Sequence, residues 1–274
     1  MKFDIAIRVI AFLSMFGLMA SWEAIAPRRK TATLKVSRWI ANLSVAVLNT
    51  MVIRILLASG AVGVAMVTAE NGWGILNMLH WPVWIEIVLA VLLLDLMIYL
   101  QHLGFHAVPV LWKIHMVHHA DPDYDVTTAV RFHPVEALLS MVLKMAGVAI
   151  IGASPTSVLA FEVILNGMAM FNHANVRMPA FVDRILRWVV VTPDMHRIHH
   201  SIFPRENNRN FGFNLPWWDY MFGTYLASPS RGHERMTFGL KKFRSPGCLK
   251  LLNILKLPFG RSPGIDAMNQ GECL

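Results

Sequence analysis

Four apolar blocks, separated by short polar stretches, fill the first two thirds of the chain: Ile5 to Ala26, Trp39 to Ala69, Trp84 to Leu103, and Glu136 to Phe171. The first and third are the length of one bilayer-crossing helix. The second is too long for one straight span. It reads as a span plus an interfacial piece, with a break near Ser59-Gly60. The fourth is interrupted by "GASP" at Gly152 to Pro155, where Gly and Pro predict a tight turn between two helices. Its arms are short, so it reads as a hairpin that dips in and returns or as two tilted helices.

That hairpin carries a prediction of its own. Lys144 and Glu162 are equally far from Ala153, so an antiparallel hairpin puts them at one depth. Pairing there lowers the cost of both charges, and a separation within about 8 Å is expected. Arg54 has a plainer reading, a side chain near the outer end of its helix that reaches for the headgroups.

Composition reinforces the membrane reading. Hydrophobic residues make up 55% of the 274 and charged residues only 15%, with a mean hydropathy of +0.47. A soluble domain carries about a quarter charged residues. No cleavage-like site follows the first block, and the basic cluster Arg28, Arg29, Lys30 reads as stop-transfer, so the block is expected to be retained. The net charge of +8 sits mainly at block ends, where it sets topology, and no basic, aromatic-interleaved surface suggests nucleic acid. The basic loop Arg28 to Arg38 is therefore cytoplasmic, and the loop Glu70 to Pro82, free of Lys and Arg, lies outside. Counting on, everything just after the third span returns to the cytoplasmic surface. The segments expected are N-terminal transmembrane helices (1–82), a central unit (83–228) and a basic tail (229–274) whose "LKLLNILKLPFG" reads as a membrane-surface run.

Ten of the twelve histidines fall between His102 and His200. His80, beside Trp81, reads as an interfacial residue, and His233 as a solvated one. His102 and His106 form H-x-x-x-H, two rings on one helical face. His115, His118 and His119 form H-x-x-H-H, and His196, His199 and His200 repeat it. In each triplet the first and last rings share a face and the middle ring is rotated by about 100°. Each triplet thus offers two rings to one site and turns the third toward a neighbouring site. His173, just after the hairpin, is a further candidate ligand. His133 is a ligand, a donor to one, or part of the turn before Pro134. Asp95, seven residues before His102, is either a packing residue or an acceptor for a ligand ring.

Neutral imidazole suits Zn, Cu, Fe and Ni, and a four-coordinate zinc uses at most four of these rings. Eight or nine candidates suit two ions. H-E-x-x-H and E-x-x-H are absent, against the common zinc-protease and ferritin-type di-iron arrangements. Cys248 and Cys273 make no C-x-x-C and no iron–sulfur run.

With its three boxes in this order, and with "QHLGFH", "WKIHMVHHAD", "RFHPVE", "NHAN", "TPDMHRIHHSI" and "NRNFGFNLPWWDYMFGTY" around them, the chain resembles the fatty acid hydroxylase and sterol desaturase superfamily over roughly Asp95 to Tyr225. The resemblance implies an all-α integral membrane protein whose cytoplasmic-face helical cap carries a histidine-rich di-iron centre. It implies O2-dependent attack on an unactivated C–H bond of a membrane lipid: a sterol, fatty acyl chain, carotenoid or ether lipid. Hydroxylation and desaturation share these boxes. The ligand set is His102, His106, His115, His118, His119, His173, His196, His199 and His200, and Asn210 and Asp219 are placed to support ligand rings. Since no haem domain or iron–sulfur cysteines accompany the boxes, an external donor of ferredoxin or cytochrome type is expected. The rival readings are a non-catalytic membrane metal-binding or transport protein and a membrane zinc hydrolase.

Overall fold

The computed structural model describes residues 2–31, 35–78 and 80–260, and Cys273 lies outside them. Helix α1 (Lys2–Ile25), α2 (Lys35–Leu56), α3 (Gly60–Asn71), α4 (Val83–Ala107), α6 (Pro134–Ile151) and α7 (Pro155–Asn172) make a bundle. Helix α5 (Pro109–His119) and the short helices α8 (Ala180–Leu186), α9 (Pro193–His199), α10 (Pro204–Asn207), α11 (Trp217–Met221), α12 (Gly232–Arg235) and α13 (Leu251–Lys256) gather around the histidines. Four helical segments, 4–25, 35–78, 83–107 and 134–151, are long and apolar enough to cross a membrane. Many of their large apolar side chains are exposed, as in Leu13, Ile40, Trp84 and Ile150, which suits a bilayer and not water.

The break expected near Ser59-Gly60 is present: α2 ends at Leu56 and Gly60 turns with φ 57°. Helix α3 packs into the bundle. Its Ala61 and Ala65 are fully buried with Leu94, Val148 and Phe161, because small residues let it lie close against α6 and α7. The hairpin forms as expected. Gly152 takes φ 74° after α6, and Ser154 caps α7 through the Ser157 backbone N–H. Glu86, near the start of α4, accepts from the Ser154 N–H and from the Ser154 and Ser157 hydroxyls, which ties the hairpin tip to α4. Gly74 packs its backbone directly on Gly152: a Cβ on Gly74 would collide with the Gly152 main chain, and one on Gly152 with the Trp73 carbonyl.

Lys144 Nζ donates to Glu162 Oε1 at 2.6 Å, so the predicted pair exists, and Arg8 of α1 joins it at 2.7 Å on the other oxygen. Arg54 is exposed in the last turn of α2. The tail differs from expectation. One face of its 251–257 turn buries Ile254 and Leu257 against Trp112 and Met116 of α5 and Ala41 and Val45 of α2, while Leu252 and Phe259 stay exposed. The run is docked on the histidine region as well as apolar outside. The basic loop also differs, since two of its charges are not free topology signals: Arg38 is fully buried and Arg28 pairs with Asp194.

Candidate metal centre

The last turns of α4 and α5 and all of α9 point their histidines at one another. Nine rings fall into two groups: His102, His106, His115, His119 and His199 in one; His118, His173, His196 and His200 in the other. Within each group the nearest ring nitrogens all lie within 4.8 Å. The middle ring of each H-x-x-H-H joins the group that its neighbours do not, which the 100° offset requires. All but His106 are buried. Helix α9 is started by Thr192, whose hydroxyl accepts from the Met195 N–H, and Pro193 follows at the first helical position.

Outer contacts orient the rings. His102 Nδ1 faces the Phe211 carbonyl at 2.8 Å, His199 Nδ1 the Arg209 carbonyl at 2.8 Å, and His173 Nδ1 the Ala169 carbonyl at 2.7 Å. His115 Nδ1 meets Glu136 Oε1 at 2.6 Å. His106 Nδ1 meets Asn208 Oδ1 at 3.3 Å. Each acceptor keeps the proton on Nδ1 and leaves Nε2 as a free donor of electrons. His118 is steadied differently, stacked on Phe132 with centroids 4.6 Å apart.

The arrangement fits metal ions. Nε2 of His173 lies 3.2 Å from Nε2 of His118, His196 and His200 alike, and His119 Nε2 lies 3.1 Å from His106 and 3.2 Å from His115. An ion bound to imidazole at roughly 2.0–2.1 Å holds adjacent nitrogens about 3.0–3.4 Å apart. His102 Nε2 and His199 Nε2 are buried with no hydrogen-bond partner, a costly state for groups aimed at a common centre unless a cation completes them. Burial first, then neighbouring rings, push His118, His119, His196, His199 and His200 well below the usual histidine range, and His173 down to about 4. These six rings are therefore neutral at physiological pH, the form that binds metal.

The remaining candidates lie further out. His133 is no part of either group. It caps α6, with Nδ1 accepting from the Val135 N–H and Nε2 facing the Leu255 carbonyl at 3.2 Å, so it belongs to the turn before Pro134. Asp95 does not touch a ring. It accepts from the Asn214 and Leu215 N–H groups and from Trp218 Nε1, because a strap of residues 209–226 lies over that face of α4. Asp219 accepts from the Phe211 and Gly212 N–H groups and from Thr224. Asn210, in the left-handed region at φ 55°, donates to the Met195 and Leu226 carbonyls. These three shape the strap, and the strap's Arg209 and Phe211 carbonyls meet the rings. His233 is not solvated. It is mostly buried, with Nε2 3.8 Å from Asp194, and burial lowers it to about 4.

Several supports carry no spacing that marks them. Glu136 lies inside the quoted "RFHPVE" but follows no ring at a telling interval. Asn207 ends the short helix α10 and Asn208 caps it. Arg38 of α2 pairs with Asp121 (2.6 Å) and Asp125 (2.7 Å) directly after the second box. Burial alone would raise Asp121, but Arg38 outweighs it and brings the carboxyl down to about 2. Glu23 of α1 accepts from the Val126 and Asn175 N–H groups with a single oxygen.

The fatty acid hydroxylase family model matches residues 87–224, which include all nine rings. The chain belongs to the fatty acid hydroxylase family. It is 29% identical over 150 residues to ornithine lipid hydroxylase OlsE of Rhizobium tropici, covering 55% of this chain and 44% of the relative. It is 30% identical over 163 residues to alkylglycerol monooxygenase of Xenopus tropicalis (58% of this chain, 33% of the relative). Cholesterol 25-hydroxylase of Rattus norvegicus is 29% identical over 148 residues (53% and 48%). The chain thus spans less than half the length of these curated relatives, all lipid hydroxylases or monooxygenases. No solved structure matches significantly.

Proposed function

We propose that the chain is an O2-dependent oxidoreductase that hydroxylates or desaturates an unactivated C–H position of a membrane lipid, with two iron ions held by the nine rings. The observation that carries this is the pair of buried ring groups with their Nε2 atoms converging inside a family of lipid oxygenases. A di-iron centre, when loaded, supplies the O2-dependent chemistry that an alkyl C–H bond demands, since such a bond offers no acidic proton to a side-chain base.

The chain's own residues position and shield. Glu136, Asn208 and the strap carbonyls hold rings in the tautomer that leaves Nε2 free. The strap, anchored by Asp95 and Asp219, covers His102 and His199 and keeps water away. Its outward side, Trp217, Met221 and Phe222, is apolar and exposed, suited to acyl chains where α4 leaves the bilayer. The chain's substrate is a sterol, fatty acyl chain, carotenoid or ether lipid. Electrons come from an external carrier of ferredoxin or cytochrome type docking at the cytoplasmic face, the side the charge pattern of the loops favours.

Purified protein is expected to hold about two irons per chain, to consume O2 only with a reduced carrier present, and to change the lipid profile of cells that express it. One zinc per chain without O2 uptake would support a hydrolase, and metal without any turnover a binding protein. Either result would overturn the reading.

A further inference from the structure

Helix α8 contributes no ring to the metal centre, and its two sides differ. Phe181 and Ile185, with Trp188 just past its end, follow an i, i+4, i+7 spacing and are all exposed. Ala180, Asp183, Arg184 and Arg187, turned away from that stripe, line an open cavity of about 880 Å³. None of the nine rings borders this cavity. Helix α8 is thus a short amphipathic segment. Its apolar side is bare, and its polar side faces a space of the size that ligands occupy.

The cavity is rich in guanidinium. Arg28, Arg177, Arg184 and Arg187 line it, against Asp183, Asp194 and Glu234. The carboxylates are already engaged. Asp183 accepts from the Thr192 hydroxyl at 2.6 Å and pairs with Arg187 at 2.8 Å, and Arg187 also donates to the Ala227 carbonyl. Asp194 pairs with Arg28 at 3.2 Å and with Arg197, which is buried behind it on α9. Glu234 meets Arg28 at 3.2 Å and, more loosely, Arg177 at 3.5 Å. Arg184 is exposed and has no ion pair among the described residues. The fixed pairs build the wall, which leaves Arg177 and Arg184 as the surplus cations. Their planar forks match the oxygens of a phosphate.

The apolar stripe indicates the source of that phosphate. Trp217 Nε1 donates to the Trp188 carbonyl at 2.7 Å, the Trp188 and Tyr220 rings lie 6.2 Å apart, and the Tyr220 hydroxyl donates to the Arg187 carbonyl at 2.9 Å. These contacts join the α8 stripe to the exposed Trp217, Met221 and Phe222 of the strap in one apolar surface. A surface of Trp and Phe beside arginines suits the boundary between acyl chains and headgroups. With the stripe at that boundary, the cavity opens at the level of lipid phosphates. A soluble phosphate would use the arginines and leave the stripe in water.

We propose that this cavity binds the phosphate of a membrane phospholipid through Arg177 and Arg184, with the acyl chains lying along the α8 stripe and the strap. The site is separate from the metal centre and stands whether or not the two-metal reading does. A lipid bound there fastens the strap to the bilayer surface.

The test uses full-length protein in detergent, mixed with phosphatidylglycerol or with diacylglycerol of the same acyl chains, and counts retained lipid by native mass spectrometry. Phosphatidylglycerol is expected to bind about tenfold or more tightly than diacylglycerol. Arg177→Gln with Arg184→Gln should remove that preference. Both side chains are exposed, so the melting temperature in lipid-free detergent should stay at the wild-type value. Arg205→Gln, which removes an exposed arginine of α10 outside the cavity, should keep the preference. Equal retention of the two lipids by wild type, or an undiminished preference in the double variant, would overturn the proposal. Loss of the preference in Arg205→Gln as well would reduce it to net charge and overturn it too. Inorganic phosphate in excess should leave the lipid bound; its displacement would assign the arginines to a soluble ligand and overturn the lipid assignment.

Discussion

Two buried polar clusters stand side by side here, and they are built on opposite principles. One joins Arg38, Asp121, Asp125, Asn42, Thr128 and Arg131, with Arg38 bonded to both carboxylates, Asn42 to Asp121, and Arg131 to the Asn42 side chain and the Val117 carbonyl. It is charged, and its groups complete one another. The other is the nine rings, whose nitrogens converge and whose His102 and His199 are left unpartnered at Nε2. Coulombic attraction makes the first cluster self-sufficient, whereas the second lacks a positive centre. The first is structure. The second is a set of converging donors whose geometry fits cations.

Substitutions should separate them in the order of their size. His173→Ala removes the nitrogen that meets three others, so activity should fall to background and iron content by one ion, while the protein still inserts in the membrane; oxygen uptake and metal analysis measure this. Arg38→Ala leaves two carboxylates buried without their partner and should cost about 3–5 kcal/mol, read as a lower melting temperature both with and without metal. If added iron restored that loss, the clusters would not be independent. Glu136→Gln keeps the size but weakens the acceptor opposite His115, and metal affinity should fall about 10–100-fold in a chelator titration, with little change in the melting of metal-free protein. The smallest effect belongs to the hairpin. Lys144→Met should cost about 1 kcal/mol or less because Arg8 still holds Glu162, and Glu162→Ala should cost more because it strands both cations. Equal melting shifts in the two variants would refute that division.

The rings were legible in the sequence because helical spacing converts directly into direction. The Lys144–Glu162 pair was legible for a similar reason, since a turn at Gly152 is a mirror for residues on either side. Asp95 shows where such reasoning stops. Its spacing from His102 gives a face, but a face can be claimed by any segment, and here the strap claimed it. The ring supports were mostly invisible because they are main-chain carbonyls, which every residue owns, or single side chains from far along the chain. Arg38 was read as a topology charge because the periodicity of α2 carries no mark of the aspartates that would meet it. His233 reads as solvated for the same cause, a partner distant in sequence.

The single oxygen of Glu23 that receives the Val126 and Asn175 N–H groups has a wider meaning. Glu23 and Arg38 both precede the stretch that the family shares, 87–224, yet they fasten the loops that carry the rings into place. What is inherited as a recognisable unit and what must fold as a unit are thus different lengths of chain. A fragment trimmed to the shared stretch would possess every ring and lose the two anchors that hold their loops, so the borders of kinship are poor places to cut this protein.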